Sequence, residues 1–136
     1  MKIMKFGGTS VGSVDSLQKV KQIVEAEKEP VIVVVSALGG ITDQLIRTAA
    51  MATRGDIAYE AEFNSMVRRH EEMIQSVIPS GSKKRTLEKN IHALLDELKD
   101  IYQGLYLLKD ISSNMEDTVV SYGERLSIQA VRFLCV

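Results

Sequence analysis

The 136-residue sequence contains a single cysteine, Cys135, and therefore cannot form an internal disulfide framework. It also has no apolar run that approaches the roughly 18 residues needed by a membrane-spanning helix. The first residues, MKIMKFGG, reach glycine before an apolar core of useful length develops, so they do not resemble a secretory signal peptide. We therefore expect a soluble protein of the reducing cytoplasm, without a membrane partner.

The sequence also lacks a strong excess of either charge. It has 17 Lys and Arg against 18 Asp and Glu, a formal net charge of -1, which argues against nucleic acid as a partner. The basic run Lys83-Lys84-Arg85 opens a helical segment and is interpreted as a solvated face. Because 45% hydrophobic and 26% charged residues are ordinary for soluble proteins, the composition predicts one globular domain.

The pattern of apolar residues predicts an α/β fold that opens with a βαβ unit. The segment KIMKF (2–6) is short, apolar and followed by glycines, which indicates a buried strand. Apolar residues then recur every three to four positions over 13–28, as in an amphipathic helix. The β-branched run PVIVVVSA (30–37) is typical of a strand covered on both faces in a parallel sheet. Two strands joined in this way form a right-handed unit.

The rest of the chain reads as helical. Helices are predicted over about 41–55, 59–77 and 83–105, and from near 114–117 onward. The break at Pro79-Ser80-Gly81 favours an antiparallel hairpin between the two long helices. Since two strands cannot cover their own faces, and the sequence stops inside the apolar pattern AVRFLCV, we expect the architecture to continue beyond it.

The stretch KFGGTSVGS, residues 5 to 13, combines a lysine with glycines and hydroxyls. It is not a Walker A loop, which would place lysine where Ser13 stands, nor a G-x-G-x-x-G fingerprint. A glycine-rich turn before a helix still exposes backbone N–H groups. Lys5 ends a strand expected to be buried, on the face of Ile3, where a free ammonium is costly. The stretch predicts phosphate binding, or alternatively a lysine–carboxylate pair beside a plain turn.

The second strand ends in the same style. Ser36 follows it, then Gly39 and Gly40, then Thr42 at the start of a helix. Ligands of open α/β sheets bind outside the carboxyl ends of the strands, so we predict that both loops form the floor of one anionic pocket. The alternative for Thr42 is a plain helix N-cap.

A third segment, SYGERLS (121–127), places a glycine inside a helical pattern. Gly123 costs about 1 kcal/mol there relative to alanine, which suggests close backbone approach or ligand access. Glu124 beside it could accept hydrogen bonds from a substrate ammonium. The alternative is an ion pair with Arg125 or another surface residue.

The strings KFGGTSVG (5–12), VVVSALGGITDQL (33–45) and SYGERLS together resemble the aspartate kinases of the amino acid kinase family. Their order and separation are also similar. The resemblance covers essentially the whole chain, residues 1–136, but only the front of the catalytic domain. It implies the N-terminal, amino-acid-binding part of a three-layer αβα fold, truncated, with parallel strands and a large helical insert at about 56–113. Monofunctional enzymes and bifunctional aspartokinase–homoserine dehydrogenases resemble the chain equally.

The resemblance implies ATP-dependent phosphorylation of the L-aspartate side-chain carboxylate to 4-phospho-L-aspartate. This is the first step of lysine, threonine and methionine biosynthesis, and it implies ATP and Mg²⁺ with no metal ligand in this chain. Lys5 would be the catalytic lysine at the γ-phosphoryl group. The other implied ATP-phosphate ligands are Gly7, Gly8, Thr9 and Ser10. The implied aspartate ligands are Ser36, Thr42 and Glu124. A homo-oligomer is expected for the full-length protein.

The chemistry needs no general base, because a carboxylate with a reference pKa of about 3.9 is already ionised at neutral pH. His70 and His92 both fall in helical runs and are interpreted as packing or surface residues. Two alternatives stay open. One is a sibling kinase for acetylglutamate or glutamate. The other, for residues 1–136 alone, is an amino-acid-binding module without turnover, since the family's nucleotide-base pocket lies beyond them.

Overall fold

The computed structural model describes residues 1–135 and has the predicted βαβ opening followed by helices. Strands β1 (Lys2–Phe6) and β2 (Val31–Val35) pair in parallel. Lys2 lies opposite Val31, and Phe6 lies opposite Val35. The helices are α1 (Val14–Glu25), α2 (Ile41–Thr53), α3 (Tyr59–Val77), α4 (Ser82–Leu108) and α5 (Ser113–Cys135). The α/β class is confirmed. Val136, which ends the apolar pattern AVRFLCV, lies outside the described residues.

The helices cover only one face of the sheet. Phe6 and Val35 point into the core and are buried, whereas Ile3, Ile32 and Val34 on the other face expose 71%, 48% and 45% of their surface. The predictions that β1 is buried and that β2 is covered on both faces are therefore wrong for residues 1–135. The physical reason is that α5 packs on one side of this two-stranded sheet, where α1 packs against α5, and no described element covers the other side.

Helices α2, α3, α4 and α5 form the helical core. Helices α3 and α4 are joined by the short turn 78–81 and pack against each other, which confirms the predicted hairpin. The buried Tyr102 hydroxyl of α4 donates a hydrogen bond to the Leu45 carbonyl of α2, at 3.0 Å. The same ring meets Phe63 of α3 edge-on, with centroids 6.0 Å apart. Helix α4 is thus fixed to both neighbours.

Helix α5 lies close to the β2–α2 connection because Gly123 has no side chain. A β carbon built on Gly123 would lie 2.7 Å from the β carbon of Ala37 and 3.2 Å from Cδ1 of Leu45. No side chain fits at these distances. The close backbone approach predicted at Gly123 is confirmed. None of the helices in residues 1–135 is both long and apolar enough to cross a membrane.

Candidate active site

The first glycine loop, residues 7–12, joins β1 to α1 and is shaped by its own backbone. The amides of Ser10 and Val11 both donate to the Gly7 carbonyl, at 3.0 and 3.3 Å, and the Val11 side chain is fully buried. Ser13 then caps α1, since its Oγ accepts a hydrogen bond from the Ser16 amide at 3.1 Å. The loop is therefore held in one conformation between the strand and the helix.

The second glycine loop, residues 36–40, joins β2 to α2. The Ser36 amide donates to the Phe6 carbonyl at 3.0 Å, so the ladder between the strands continues one residue beyond β2. Gly40 caps α2 with a φ of 83°, in the left-handed region that favours glycine. Thr42 is the second residue of α2, so its alternative interpretation as the N-cap is wrong.

The two glycine loops touch through their backbones. A β carbon on Gly39 would lie 3.2 Å from the carbonyl oxygen of Gly8, and one on Gly12 would lie 2.9 Å from the same oxygen. A side chain at Gly39 would push the loops apart, whereas one at Gly12 would collide within the first loop. The structure thus brings together the two loops that the sequence placed at the carboxyl ends of neighbouring parallel strands.

Both loops present backbone donors that no protein group uses. Among residues 1–135, the amides of Gly7, Gly8 and Thr9 donate no hydrogen bond, and neither do those of residues 37–40. The hydroxyls of Thr9 and Ser10 are exposed and are also without a partner in this part of the chain. Free amides in a glycine-rich loop ahead of a helix suit the binding of an anion.

Lys5 lies two residues before the first glycine loop, but its environment differs from the prediction. It shares a face with Ile3, and that face is open, so the expectation that burial forces Lys5 to find an anion is wrong. The alternative, a pair with a protein carboxylate, is not found among residues 1–135. Lys2 does form such a pair, with Glu27 at 3.0 Å. The Lys5 ammonium, at the end of β1, therefore has no partner within residues 1–135.

The three predicted aspartate-binding residues lie around the second glycine loop. Ser36 and Thr42 are half-buried, and their hydroxyls have no hydrogen-bond partner within the described chain. Glu124 follows the glycine that contacts Ala37, and it too is half-buried. Its alternative role is not found, because Arg125 pairs instead with a carboxylate of α4 at 3.7 Å, and Glu124 forms no ion pair in residues 1–135.

Arg69 of α3 also reaches the loops, and no sequence pattern predicts this contact. Its Nη2 donates to the Gly12 carbonyl at 3.4 Å. Its Nη1 lies 3.8 Å from the position that a β carbon on Gly40 would occupy. Arg69 is 57 residues from Gly12 along the chain, and only the packing of α3 on α1 brings them together. No local pattern could have found this contact.

The histidines do not serve the loops. His70 is fully buried in α3, with Nδ1 2.8 Å from the Met66 carbonyl oxygen, and burial lowers its pKa. His92 is exposed on α4, 3.2 Å from the Glu71 carboxylate. Their interpretation as packing and surface residues is confirmed. Residues 1–135 contain no group of three or more His, Cys, Asp or Glu side chains placed to hold a metal ion.

Known proteins are similar to this chain in both sequence and fold. The bifunctional aspartokinase/homoserine dehydrogenase, chloroplastic, of Daucus carota is 30% identical over 133 residues, which cover 97% of this chain and 14% of that protein. The aspartokinase of Chlamydia muridarum is 31% identical over 133 residues, covering 98% of this chain and 27% of the relative. The chain thus spans less than a third of these relatives.

Among solved structures, E. coli aspartokinase III in complex with aspartate and ADP matches with a TM-score of 0.81. The match covers 96% of this chain and 28% of that one, at 23% identity. A sequence model of the amino acid kinase family matches residues 1–135. The chain therefore belongs to the amino acid kinase family, and its fold is that of the N-terminal part of an aspartokinase.

Proposed function

We propose that this chain is the phosphate- and aspartate-binding part of an ATP-dependent aspartate kinase. The observation that carries the proposal is the pair of glycine loops in backbone contact at the carboxyl ends of β1 and β2, with unused amides in both. The aspartokinase relatives support it, and one of them was solved with aspartate and ADP.

The first glycine loop binds the phosphates of ATP in this proposal. The amides of Gly7 and Gly8 donate to phosphate oxygens, and the exposed hydroxyls of Thr9 and Ser10 add further donors. The unpaired ammonium of Lys5 stabilises the negative charge on the γ-phosphoryl group during transfer. Donors fixed before the reaction stabilise this charge without the cost of reorganisation.

The second glycine loop and α5 bind L-aspartate. The hydroxyls of Ser36 and Thr42, which have no partner within residues 1–135, hydrogen-bond the amino acid. The half-buried Glu124 carboxylate accepts from its α-ammonium group. Because Gly123 fixes α5 against Ala37, the two sides of this amino-acid site are held at a constant separation.

The reaction is an in-line displacement. An oxygen of the aspartate β-carboxylate attacks the γ-phosphorus and forms a new O–P bond, while the bond to the bridging oxygen breaks and ADP leaves with its electron pair. The carboxylate is already ionised, so no residue needs to remove a proton. Mg²⁺ would come with the nucleotide and offset triphosphate charge, and the described residues form no separate site for it. Catalysis then rests on alignment and charge.

The test uses a protein of the relatives' length that carries residues 1–136, with L-aspartate, ATP and Mg²⁺, and with hydroxylamine to trap the acyl phosphate. Lys5→Ala should lower kcat by roughly 100-fold or more with a small change in the KM for aspartate, because the lost contact belongs to the transition state. Lys2→Ala, on the same strand, is the matched control and should keep the activity. A change confined to KM would move Lys5 to a binding role.

The sibling-kinase alternative is decided by a substrate panel of aspartate, glutamate and N-acetylglutamate. Aspartate should be the best substrate, and a preference for either of the others would refute the proposal. For residues 1–136 alone we expect no turnover. Calorimetry should show whether they bind L-aspartate in preference to L-glutamate, as a binding module would. A cytoplasmic location, a homo-oligomeric full-length protein and the bounds of the helical insert, about 56–113, stay part of the proposal.

A further inference from the structure

We propose that Arg69 is a positioning residue that fixes the two glycine loops relative to each other. Its effect on phosphoryl transfer rests on the function proposed above, whereas its effect on the loops does not. The guanidinium group lies where both loops end.

Arg69 lies beside the loop residues that lead into the two helices. Gly12 directly precedes Ser13, the N-cap of α1, and Gly40 is itself the N-cap of α2. Nη2 contacts the Gly12 carbonyl, and Nη1 faces Gly40. Because the planar guanidinium has several N–H groups in a fixed arrangement, one side chain reaches both loop ends at once.

No carboxylate within residues 1–135 neutralises the charge of Arg69. Arg47 and Arg125 pair with glutamates at 3.1 and 3.7 Å, but Arg69 forms no ion pair within residues 1–135. Glu72, one turn further along α3, lines the same cavity of about 220 Å³ beside the first loop, yet lies beyond ion-pair distance. The N–H donors of Arg69 are therefore available to the backbone, and its positive charge favours an anion on the loops.

Because the two loops are in direct contact, a displacement of either loop at Arg69 also displaces the other. A β carbon on Gly39 would lie 3.2 Å from the Gly8 carbonyl oxygen, so there is no room for a side chain between the loops at this point. A shift at Gly12 or Gly40 must then pass to the other loop. Arg69 thus sets the distance between the phosphate-binding amides and the amino-acid-binding hydroxyls.

The first experiment uses this chain and backbone-amide NMR. Arg69→Met keeps most of the aliphatic stem but removes the donors, and it should shift or broaden the amide signals of both loops, residues 7–12 and 36–40. Arg68→Met, at the exposed neighbouring position, is the control and should leave them unchanged. Signals around Gly104 in α4 report any general loosening. Unchanged loop signals, or changes in the first loop alone, would overturn the inference.

The second experiment measures kinetics in the longer protein that carries residues 1–136 and has the length of the relatives. Arg69→Met should lower kcat by roughly 10- to 100-fold through misalignment, with both KM values within about threefold. Arg69→Lys should recover part of the loss, because one ammonium contacts one loop. Added methylguanidinium should raise the rate of Arg69→Ala, the opposite of what it would do to an unstable protein. If Arg69→Met keeps the wild-type rate, the inference about Arg69 is refuted and the proposed function is unaffected. An inactive wild type would refute the proposed function, and the NMR result would still decide the inference.

Discussion

Replacing Gly123 by alanine tests whether α5 packs on Ala37 as closely as the structure shows. The added β carbon would start 2.7 Å from the Ala37 β carbon and 3.2 Å from the Leu45 side chain. Carbon atoms in good contact lie about 3.5–4.0 Å apart, so the helix would have to move by roughly 1 Å. Gly104, in α4, is the matched control, since a β carbon there meets nothing within 4 Å.

Two opposing effects set the expected stability of Gly123→Ala. Overpacking of this kind costs roughly 1–3 kcal/mol, while alanine gains about 1 kcal/mol of helix propensity over glycine. The difference is a net loss of up to about 2 kcal/mol. Gly104→Ala meets only the favourable effect and should gain about 0.5–1 kcal/mol.

Urea denaturation followed by circular dichroism measures both variants against the wild type. The midpoint should fall for Gly123→Ala and rise for Gly104→Ala, with similar slopes. If Gly123→Ala proves as stable as Gly104→Ala, the close approach of α5 is not a constraint, and the argument that places Glu124 at the second glycine loop loses its basis.

Three further perturbations have expected outcomes. His70 is buried with a lowered pKa, so the unfolded chain binds its proton first and the free energy of unfolding should fall by up to about 1.4 kcal/mol per pH unit below pH about 6.5. His70→Gln should flatten that slope in urea titrations at several pH values, and an unchanged slope would refute the assignment. Tyr102→Phe removes the hydrogen bond to the Leu45 carbonyl and should cost about 1 kcal/mol in the same assay, with no loss counting against that bond. Hydrogen bonds from Arg47 lower the pKa of the partly exposed Glu62, so its contribution, under about 1 kcal/mol, is present above the unfolded pKa and lost as pH falls through the folded one. Salt should weaken it, and Glu62→Gln should remove it.

Local patterns were sufficient to predict the elements of this fold. The apolar stripe from Tyr59 to Val77 is a helix with those bounds, because its period depends on the chain alone. The meeting of the two glycine loops was also predictable, since parallel neighbouring strands end at the same edge. Close packing at Gly123 was also predictable, because glycine inside a helix lowers its stability unless a contact requires it.

Features that depend on tertiary packing were not predictable. A β-branched run such as Val31–Val35 reads the same whether helices cover one face of the sheet or both, so the exposure of Ile32 and Val34 came only from the structure. The open setting of Lys5 follows from that same uncovered face. Arg69 reaches Gly12 through the packing of two helices, and a single sequence carries no record of such a contact.

The close packing of Gly123 on Ala37 also affects the order in which the protein can fold on the ribosome. Helix α5 is the last described element to be synthesised, yet it covers side chains of Ala37, Ile41 and Leu45 that are made much earlier. Until α5 emerges, a nascent chain must keep this apolar groove exposed, even though β1, β2 and the α3–α4 hairpin can already pair. A ribosome that stalls before α5 would expose this groove to chaperones. The second glycine loop, among the first parts made, would gain its contact with α5 only after that helix has been synthesised.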